Sequence, residues 1–465
     1  MKKEKIHFVG IGGIGMSAIA KVLVNDNVHI TGSNLGENSN VKTLKNLGVK
    51  IMLEHDTKNI EDDHTLLVIS SAIKEDNPEY IEAKRKNIPI IKRSDMLGRI
   101  IKKKRGICIS GTHGKTSTTA MIGSILETNG LDPTILNGGI INAYSDNAKI
   151  GEGKFIVAES DESDGSFVDM NCEISVVTNI EPEHMEFYKT FKNLKNYFEK
   201  FIVQPLSNGG ISVICIDSPV VKEIYQKIPN KEKIFTYGTN DAADFKVFNV
   251  KESIEGLKFD VICKDGEIIQ NIFMPMHGEH NTINILAAIT IAKHLKIPNN
   301  IIKNGLANCF GVQRRFTRVG KVNNTNIIDD YAHHPTEIKA TIKGAKAIID
   351  TEKNKVVTVF QPHKYTRTRD LFEEFCEAFF DSDTLILADI YSANQDPIPG
   401  ITLQKLAEGI RNKGHKNVIE LKDEKELTKL LAKNVKNGDI IMCLGAGSIS
   451  SWSRKLAVEL KKIVG

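Results

Sequence analysis

Short runs of Val, Ile and other apolar residues alternate along the chain with longer stretches whose apolar positions recur at helical spacing. A continuous apolar run suits a strand buried on both faces, and the helical spacing suits a crossover that covers it. The pattern therefore predicts an α/β architecture built on parallel sheets. The first cycle reads as a strand at Ile6–Val9, a glycine turn, and a helix through Ala18 to Val24; strands at Val28–Thr31 and Leu66–Ile69 follow. A basic stretch, Lys102-Lys103-Lys104-Arg105, reads as a solvated linker before a fresh strand at Gly106–Ile109. Strands at Lys154–Ala158 and Ile174–Val177 and a helix near Asn281–Leu295 continue this second unit. A third restart is the strand Asn326–Asp330, followed by strands at Lys355–Gln361, Thr384–Asp389 and Asp439–Leu444. The restarts place boundaries near residues 105 and 318 and divide the chain into 1–105, 106–318 and 319–465, in keeping with 465 residues at roughly 150 per domain. Neither a solenoid-period repeat nor a low-complexity segment is present.

Composition narrows the classes. An apolar fraction of 41% and a charged fraction of 26% are ordinary for folded soluble domains. With 62 basic against 58 acidic residues the net charge is +4, too small to predict a nucleic-acid partner, so any anionic ligand must be met locally. The seven cysteines are odd in number, scattered and never in a C-x-x-C pair, which argues against a disulfide scaffold or zinc ribbon and predicts a reducing, cytoplasmic setting. Met1-Lys2-Lys3-Glu4-Lys5 and the apolar run to Ala18-Ile19-Ala20 imitate a secretory signal. Gly10, Gly12, Gly13 and Gly15 would weaken such a helix and suit a strand-to-helix turn instead. No apolar run approaches the roughly 20 residues that span a bilayer, so no membrane insertion is expected.

The strongest chemical signal is Gly111-Thr112-His113-Gly114-Lys115-Thr116-Ser117, set between a strand and a helical stretch at Thr118–Thr128. Glycines let backbone N–H groups converge on phosphate oxygens, the helix N-terminus favours anions, Lys115 supplies a point charge to the β/γ-phosphates and Thr116 can ligate Mg²⁺. The bland alternative is a glycine turn with a surface lysine. Gly10-Ile11-Gly12-Gly13-Ile14-Gly15 also joins a strand to a helix and alone would suggest a dinucleotide site, but the ribose-binding acid is missing, because Thr31 runs into Gly32-Ser33-Asn34. The same turn would hold any diphosphate, including that of a nucleotide sugar, with Ser70-Ser71 adding hydroxyls. After a later strand come Glu159-Ser160-Asp161-Glu162-Ser163-Asp164, placed to hold the Mg²⁺ that bridges ATP oxygens unless they are only a solvated acidic loop. His184, in Asn179-Ile180-Glu181-Pro182-Glu183-His184, is either a second metal ligand or a polar residue at a helix start. Arg314-Arg315 and His363-Lys364-Tyr365-Thr366-Arg367-Thr368-Arg369 read as anion clamps, or else as salt-bridged surface turns.

Taken together, Gly10 to Ser17, Gly111 to Thr119, Glu159 to Phe167, Thr178 to Met185, Phe310 to Phe316, Asp329 to Glu337 and Phe360 to Thr368 resemble the Mur ligase family, ATP-dependent amide-forming enzymes of peptidoglycan synthesis. The resemblance spans essentially the whole chain. It implies a Rossmann-like N-terminal domain for a UDP sugar, a central P-loop ATPase-like domain with a parallel or mixed sheet, and a Rossmann-like C-terminal domain that closes over nucleotide and amino acid. The first glycine turn then belongs to the sugar nucleotide, with Gly12, Gly13, Gly15, Met16, Ser17, Ser33, Ser70 and Ser71 on that side. Lys115 steadies the γ-phosphate; Thr116, Glu159 and His184 belong to the magnesium sites; His280, Asn281, Asn284 and Asp330 lie on the ATP side. Arg315, His363, Lys364 and Arg367, with His333 or His334, meet the substrate carboxylate or the incoming amine. Asp330-Tyr331-Ala332-His333-His334-Pro335 and Gln361 to Arg367 imply UDP-N-acetylmuramate as acid and L-alanine as amine, with a murein-recycling member that adds a tripeptide to the same nucleotide as the alternative. A monomer or weak homodimer is implied. The chain departs from the family pattern at Lys364, His277, Asn394-Gln395 and Ser448, and Arg to Lys loses the bidentate fork but keeps the charge. The competing classes are a nicotinamide-dependent oxidoreductase, disfavoured by the missing ribose acid, and a nucleotide-binding regulator without catalysis.

Overall fold

In the computed structural model, residues 4–70, 72–253 and 255–464 are described. Two compact units result: one is the chain to Phe248 with Phe259–Ile272 and Ile283–Gly311, the other Asn249–Lys258, Phe273–Thr282 and the chain from Val312.

The first unit begins with a five-stranded parallel sheet in the spatial order Lys50–Met52, His29–Ser33, Lys5–Val9, Leu66–Ile69, Ile90–Lys92. Ile6, Phe8 and Val9 are wholly buried in the central strand, which delivers its carboxyl end to the first glycine turn. Seven strands of a second sheet lie entirely in this unit, ordered Ile234–Gly238, Ile211–Cys215, Ile174–Val177, Arg105–Ser110, Phe155–Glu159, Thr134–Ile141, Asp146–Lys149. All run parallel except the last, which turns back on Thr134–Ile141. The second turn again leaves a central strand.

The second unit holds a six-stranded sheet ordered Thr317–Val322, Thr325–Asp330, Ile440–Leu444, Val356–Phe360, Thr384–Ala388, Val418–Leu421. Only its first strand is antiparallel. Val356–Phe360, Thr384–Ala388 and Ile440–Leu444 are buried at every position, which is why they read as unbroken apolar runs.

The expected α/β class holds in all three sheets. Predicted strands are met within a residue or two at either end; the helix after the second turn begins at Lys115 rather than Thr118, because Gly114 takes a left-handed conformation and the helix starts directly behind it. The basic stretch is only half a solvated linker. Lys102 and Lys103 are exposed, but Lys104 donates to the Thr134 hydroxyl (3.0 Å) and the Gly151 carbonyl (2.6 Å). Arg105 forks onto both Glu173 oxygens over the Phe155 ring. All seven cysteines are free and buried. Among the described residues no helix is long and apolar enough to cross a membrane.

Candidate active site

The second glycine turn is shaped by close approach. A Cβ on Gly111 (φ +137°) would lie 2.1 Å from the Thr178 hydroxyl, and one on Gly114 (φ +85°) 2.6 Å from Asn284 Oδ1, so only glycine fits. The segment after strand Ile174–Val177 braces the loop: Thr112 N donates to the Asn179 carbonyl (3.1 Å), His113 N to Asn179 Oδ1 (2.9 Å), and the Thr178 hydroxyl to the His113 carbonyl (2.6 Å). His113 also faces Glu181 at 3.3 Å. Helix Lys115–Thr128 then starts with no side chain capping its first turn, which leaves those N–H groups to an anion. Thr112, Thr116 and Ser117 are buried along this turn.

Lys115 is half-buried among acids. Its ammonium donates to the carbonyls of Gly111 and Thr112 and to Glu162 Oε1 at 3.0 Å. Burial works to strip its proton, but the charges of Glu162, Glu159 and Asp161 prevail and hold it charged beyond lysine's ordinary range. Burial pushes the Glu162 carboxyl up to about 7, outweighing the attraction of Lys115. Asp161, partly exposed, is kept below the usual carboxylate range by Arg93 and Lys115. At the end of strand Phe155–Glu159, Glu159 Oε2 accepts from the Thr116 hydroxyl and from Gly138 N, both at 2.9 Å. Thr116 and Glu159 therefore meet. His184 stands beside Glu162 instead, with Nε2 3.9 Å from Oε1, on left-handed backbone (φ +55°). Burial makes it a weaker base than usual and keeps the imidazole neutral.

The first turn uses other braces. Gly10 N and Ile11 N both donate to the Ser33 carbonyl at 2.9 Å, and Gly12 N donates to Asn34 Oδ1 at 3.1 Å. Asn34 thus stands where a dinucleotide fold would carry its acid, and it binds the turn itself. Helix Ile14–Asn25 also begins without a side-chain cap. A Cβ on Gly15 would lie 2.7 Å from Arg93 Nη1, so Gly15 makes room for a guanidinium from the start of helix Arg93–Ile101. Arg93 reaches Asp161 at 3.1 Å.

These elements enclose a cavity of about 330 Å³ lined by Gly13, Gly15, Met16, Ser70, Arg93, Asn137, Gly138, Glu159 and Asp161. The structure thereby brings Gly13, Gly15, Met16, Ser70, Glu159 and Asp161, all named from sequence, to one space. Others face elsewhere. The Ser17 hydroxyl is spent on the Ile14 carbonyl, and Ser33 donates its own to Glu79 at 2.6 Å. Gly12 is buried behind the turn, where its carbonyl accepts from Asn38 and Asn40. Ser71 lies outside the described residues. Sequence reasoning missed Arg93, Asn137 and Gly138. Asn137-Gly138-Gly139 follows the apolar run Ile135-Leu136 and could have been read as another strand end at the same sheet edge; Arg93 carried no such signal.

In the second unit, Asp330 accepts from Phe316 N (2.6 Å) and Ala332 N (2.7 Å), so both its oxygens shape the neighbouring turns, and burial pushes its carboxyl up to about 6. Arg314 and Arg315 lie over the Tyr331 ring, and Arg315 faces Glu337 at 3.7 Å. His334 caps helix Pro335–Ala347, reciprocated by Glu337. His333 packs edge-on toward His363, which stacks flat on Tyr391. Arg367 donates to the His363 carbonyl at 3.2 Å. Burial, with His333, Arg367 and Lys364, lowers His363 to about 3, so its ring stays neutral amid cations. Lys364 occupies left-handed backbone (φ +73°) before the short helix Tyr365–Asp370. Two departures from the family pattern acquire a local role: Gln395 Oε1 accepts from Thr366 N, and the Ser448 hydroxyl accepts from Gln361. His280 and Asn281 lie in this unit and Asn284 in the first. His280 presses against Gly278, and Asn281 donates to the His277 carbonyl.

The chain matches three family models end to end: "Mur ligase family, catalytic domain" over residues 5–105, "Mur ligase middle domain" over 109–292, and "Mur ligase, glutamate ligase domain" over 314–447. It belongs to the Mur ligase family. Among Mur ligases it is similar to the UDP-N-acetylmuramate–L-alanine ligase of Rhodospirillum rubrum, with 44% identity over 465 residues covering 99% of this chain and 95% of that protein. The protein of the same name from Phenylobacterium zucineum is 42% identical, covering 98% and 96%. Of solved structures, the UDP-N-acetylmuramate-alanine ligase of Thermotoga maritima superposes with a TM-score of 0.83 at 28% identity, covering 99% of this chain and all of that one. A murein peptide ligase from Psychrobacter arcticus shares the fold, with a TM-score of 0.70 at 20% identity over 99% of this chain and all of that one.

Proposed function

We propose that this Mur ligase joins L-alanine to the lactyl carboxylate of UDP-N-acetylmuramate at the expense of ATP, through an acyl phosphate, releasing ADP and phosphate. The observation that carries the reading is the shared cavity, in which the first glycine turn and Glu159 line one space and Thr116 bonds Glu159 from the second turn. The likeness to alanine ligases over nearly the whole chain supports the choice of substrates. Residues 1–105 would hold the sugar nucleotide, 106–318 the ATP, and 319–465 the amino acid.

A carboxylate is a poor electrophile, so it must first take the γ-phosphoryl group before an amine can displace the phosphate. Two anions must therefore approach each other, and cations and oriented N–H groups have to offset their repulsion. Lys115 is already charged and half-buried at the second turn; moving from Glu162 to the γ-phosphate exchanges one acidic partner for another. Arg93 can likewise leave Asp161 for the incoming sugar acid. The donor set fits Mg²⁺: the Thr116 hydroxyl and a Glu159 oxygen are in contact, both hard oxygen ligands, while His184 stands beside Glu162. When bound, the ion supplies charge neutralisation between triphosphate and carboxylate. The neutral His363 and the Arg367 guanidinium suit the alanine side, one as a hydrogen-bond partner and the other as carboxylate clamp. Seven buried free thiols support a reducing, cytoplasmic setting.

The decisive assay is phosphate release over a panel of amino acids and the murein tripeptide, with UDP-N-acetylmuramate present or omitted. Release that needs both the nucleotide and alanine is expected. A preference for the tripeptide would move the chain to the recycling reaction, and ATP binding without release would make it a regulator.

A further inference from the structure

The helix that follows the first turn is tied to the second sheet by a buried polar contact. Lys21, in the middle of helix Ile14–Asn25, is only 4% exposed, a rare place for a lysine unless its charge is paired. Its ammonium meets the Asp146 carboxylate and donates to Asn147 Oδ1 at 3.0 Å, both on the edge strand Asp146–Lys149. Asn147 is fully buried and donates its amide to the Ile14 carbonyl at 2.5 Å and the Ser17 hydroxyl at 3.4 Å. Both ends of this amide are therefore engaged, one by the lysine and the other by the helix's first turn. Ile14 sits between Gly13 and Gly15 on the cavity wall, and the strand paired with Asp146–Lys149 supplies Asn137 and Gly138 to the same cavity.

We propose that Asn147, held in place by the Lys21–Asp146 pair, is a positioning residue that sets the spacing between the sugar-nucleotide turn and the reaction centre at Glu159. This rests on reading the Gly10–Gly15 turn as the sugar-nucleotide site. Asn147 touches no reacting atom. Its amide fixes a carbonyl of the turn whose uncapped N–H groups face the ligand, so releasing it lets the turn drift relative to Glu159 while the second turn keeps its own braces. A drift confined to the first turn acts on one substrate and spares the other.

The test compares kcat and the KM values for UDP-N-acetylmuramate and ATP in the full-length enzyme, with thermal denaturation as a folding control. Asn147→Asp keeps an acceptor for Lys21 and loses the donor to Ile14; it should raise the sugar-nucleotide KM on the order of tenfold, with the ATP KM within about twofold. Lys21→Met, which removes the donor to Asn147 Oδ1, should act in the same direction and by less. The proposal fails if the sugar-nucleotide KM is unchanged in the folded Asn147→Asp variant, if both KM values rise together, or if the folded Lys21→Met variant leaves the sugar-nucleotide KM unchanged. If the parent enzyme binds ATP but not UDP-N-acetylmuramate, the reading of the turn fails first, and that is visible before any variant is made.

Discussion

The two glycine-rich turns of the first unit share a plan and differ in where their charge comes from. Both leave the carboxyl end of a central parallel strand and open a helix with no side-chain cap, so both present bare N–H groups to an anion. The second carries its own cation, Lys115, in the loop and surrounds it with Glu159, Asp161 and Glu162. The first has no cation of its own and borrows Arg93 from another helix, through a gap that Gly15 leaves open. Backbone geometry thus makes an anion site in either place, while the origin of the positive charge decides what kind. A lysine at the first position of a helix can follow a phosphoryl group, whereas a guanidinium reaching in from outside can bridge a substrate and a neighbouring domain.

The largest expected effect tests the self-contained turn. Lys115→Ala should lower alanine-dependent phosphate release by about a thousandfold or more, since no other cation in that loop can replace it; substantial residual turnover would remove Lys115 from the chemistry. Arg93→Ala should instead raise the KM for the sugar nucleotide by roughly 10- to 100-fold with the ATP KM little changed, and Arg93→Lys should recover only part. Equal loss of both substrates would erase the distinction between the turns. Asn34→Ala removes the acceptor for Gly12 N and should cost about 1 kcal/mol of stability with a few-fold rise in the sugar-nucleotide KM, whereas Asn34→Asp keeps that acceptor but loses the donor to the Gly36 carbonyl (2.7 Å) and adds a negative charge at the turn, so it should raise the same KM while leaving the ATP KM unchanged in steady-state assays.

An effect on stability alone concerns the polar network behind the first turn. Glu61 N donates to His64 Nδ1, and His64 Nε2 lies 2.9 Å from the Thr31 hydroxyl, which in turn meets His7 Nδ1 at 2.8 Å. Burial, with the charges of His7 and Lys5, lowers His64 from 6.5 to about 4. The unfolded chain then binds this proton more readily than the folded one, so the stability from a neutral His64 is complete above pH 6.5 and is lost as the pH falls toward 4. Melting temperatures across that window should fall by the equivalent of about 2 kcal/mol, and less in His64→Gln; identical slopes would exclude the histidine as the cause.

Much of the fold was legible because burial on both faces writes itself as unbroken apolar runs. Strands such as Ile174–Val177 and Leu66–Ile69 are read directly from the chain. The second turn was legible for the same reason, since its glycines, lysine and threonine are contiguous. What stayed hidden depends on contacts distant in sequence. Ser17 and Ser33 looked like donors to a ligand, yet their hydroxyls close onto Ile14 and Glu79, because a small hydroxyl beside a buried acceptor satisfies that acceptor first. Arg93 could not be chosen from among 62 basic residues until the fold brought it against Gly15. Asp330 looked like a ligand for nucleotide and instead accepts two backbone N–H groups.

The fit of Arg93 into the space left by Gly15 has a consequence for anyone diversifying this enzyme. The two positions behave as a single locus: a methyl group at residue 15 collides with the guanidinium, and a shorter residue 93 removes the collision along with the charge. Libraries that vary one codon at a time will read an alanine at residue 15 together with the guanidinium it displaces, while paired libraries should separate the two by offering that alanine a smaller cation at residue 93.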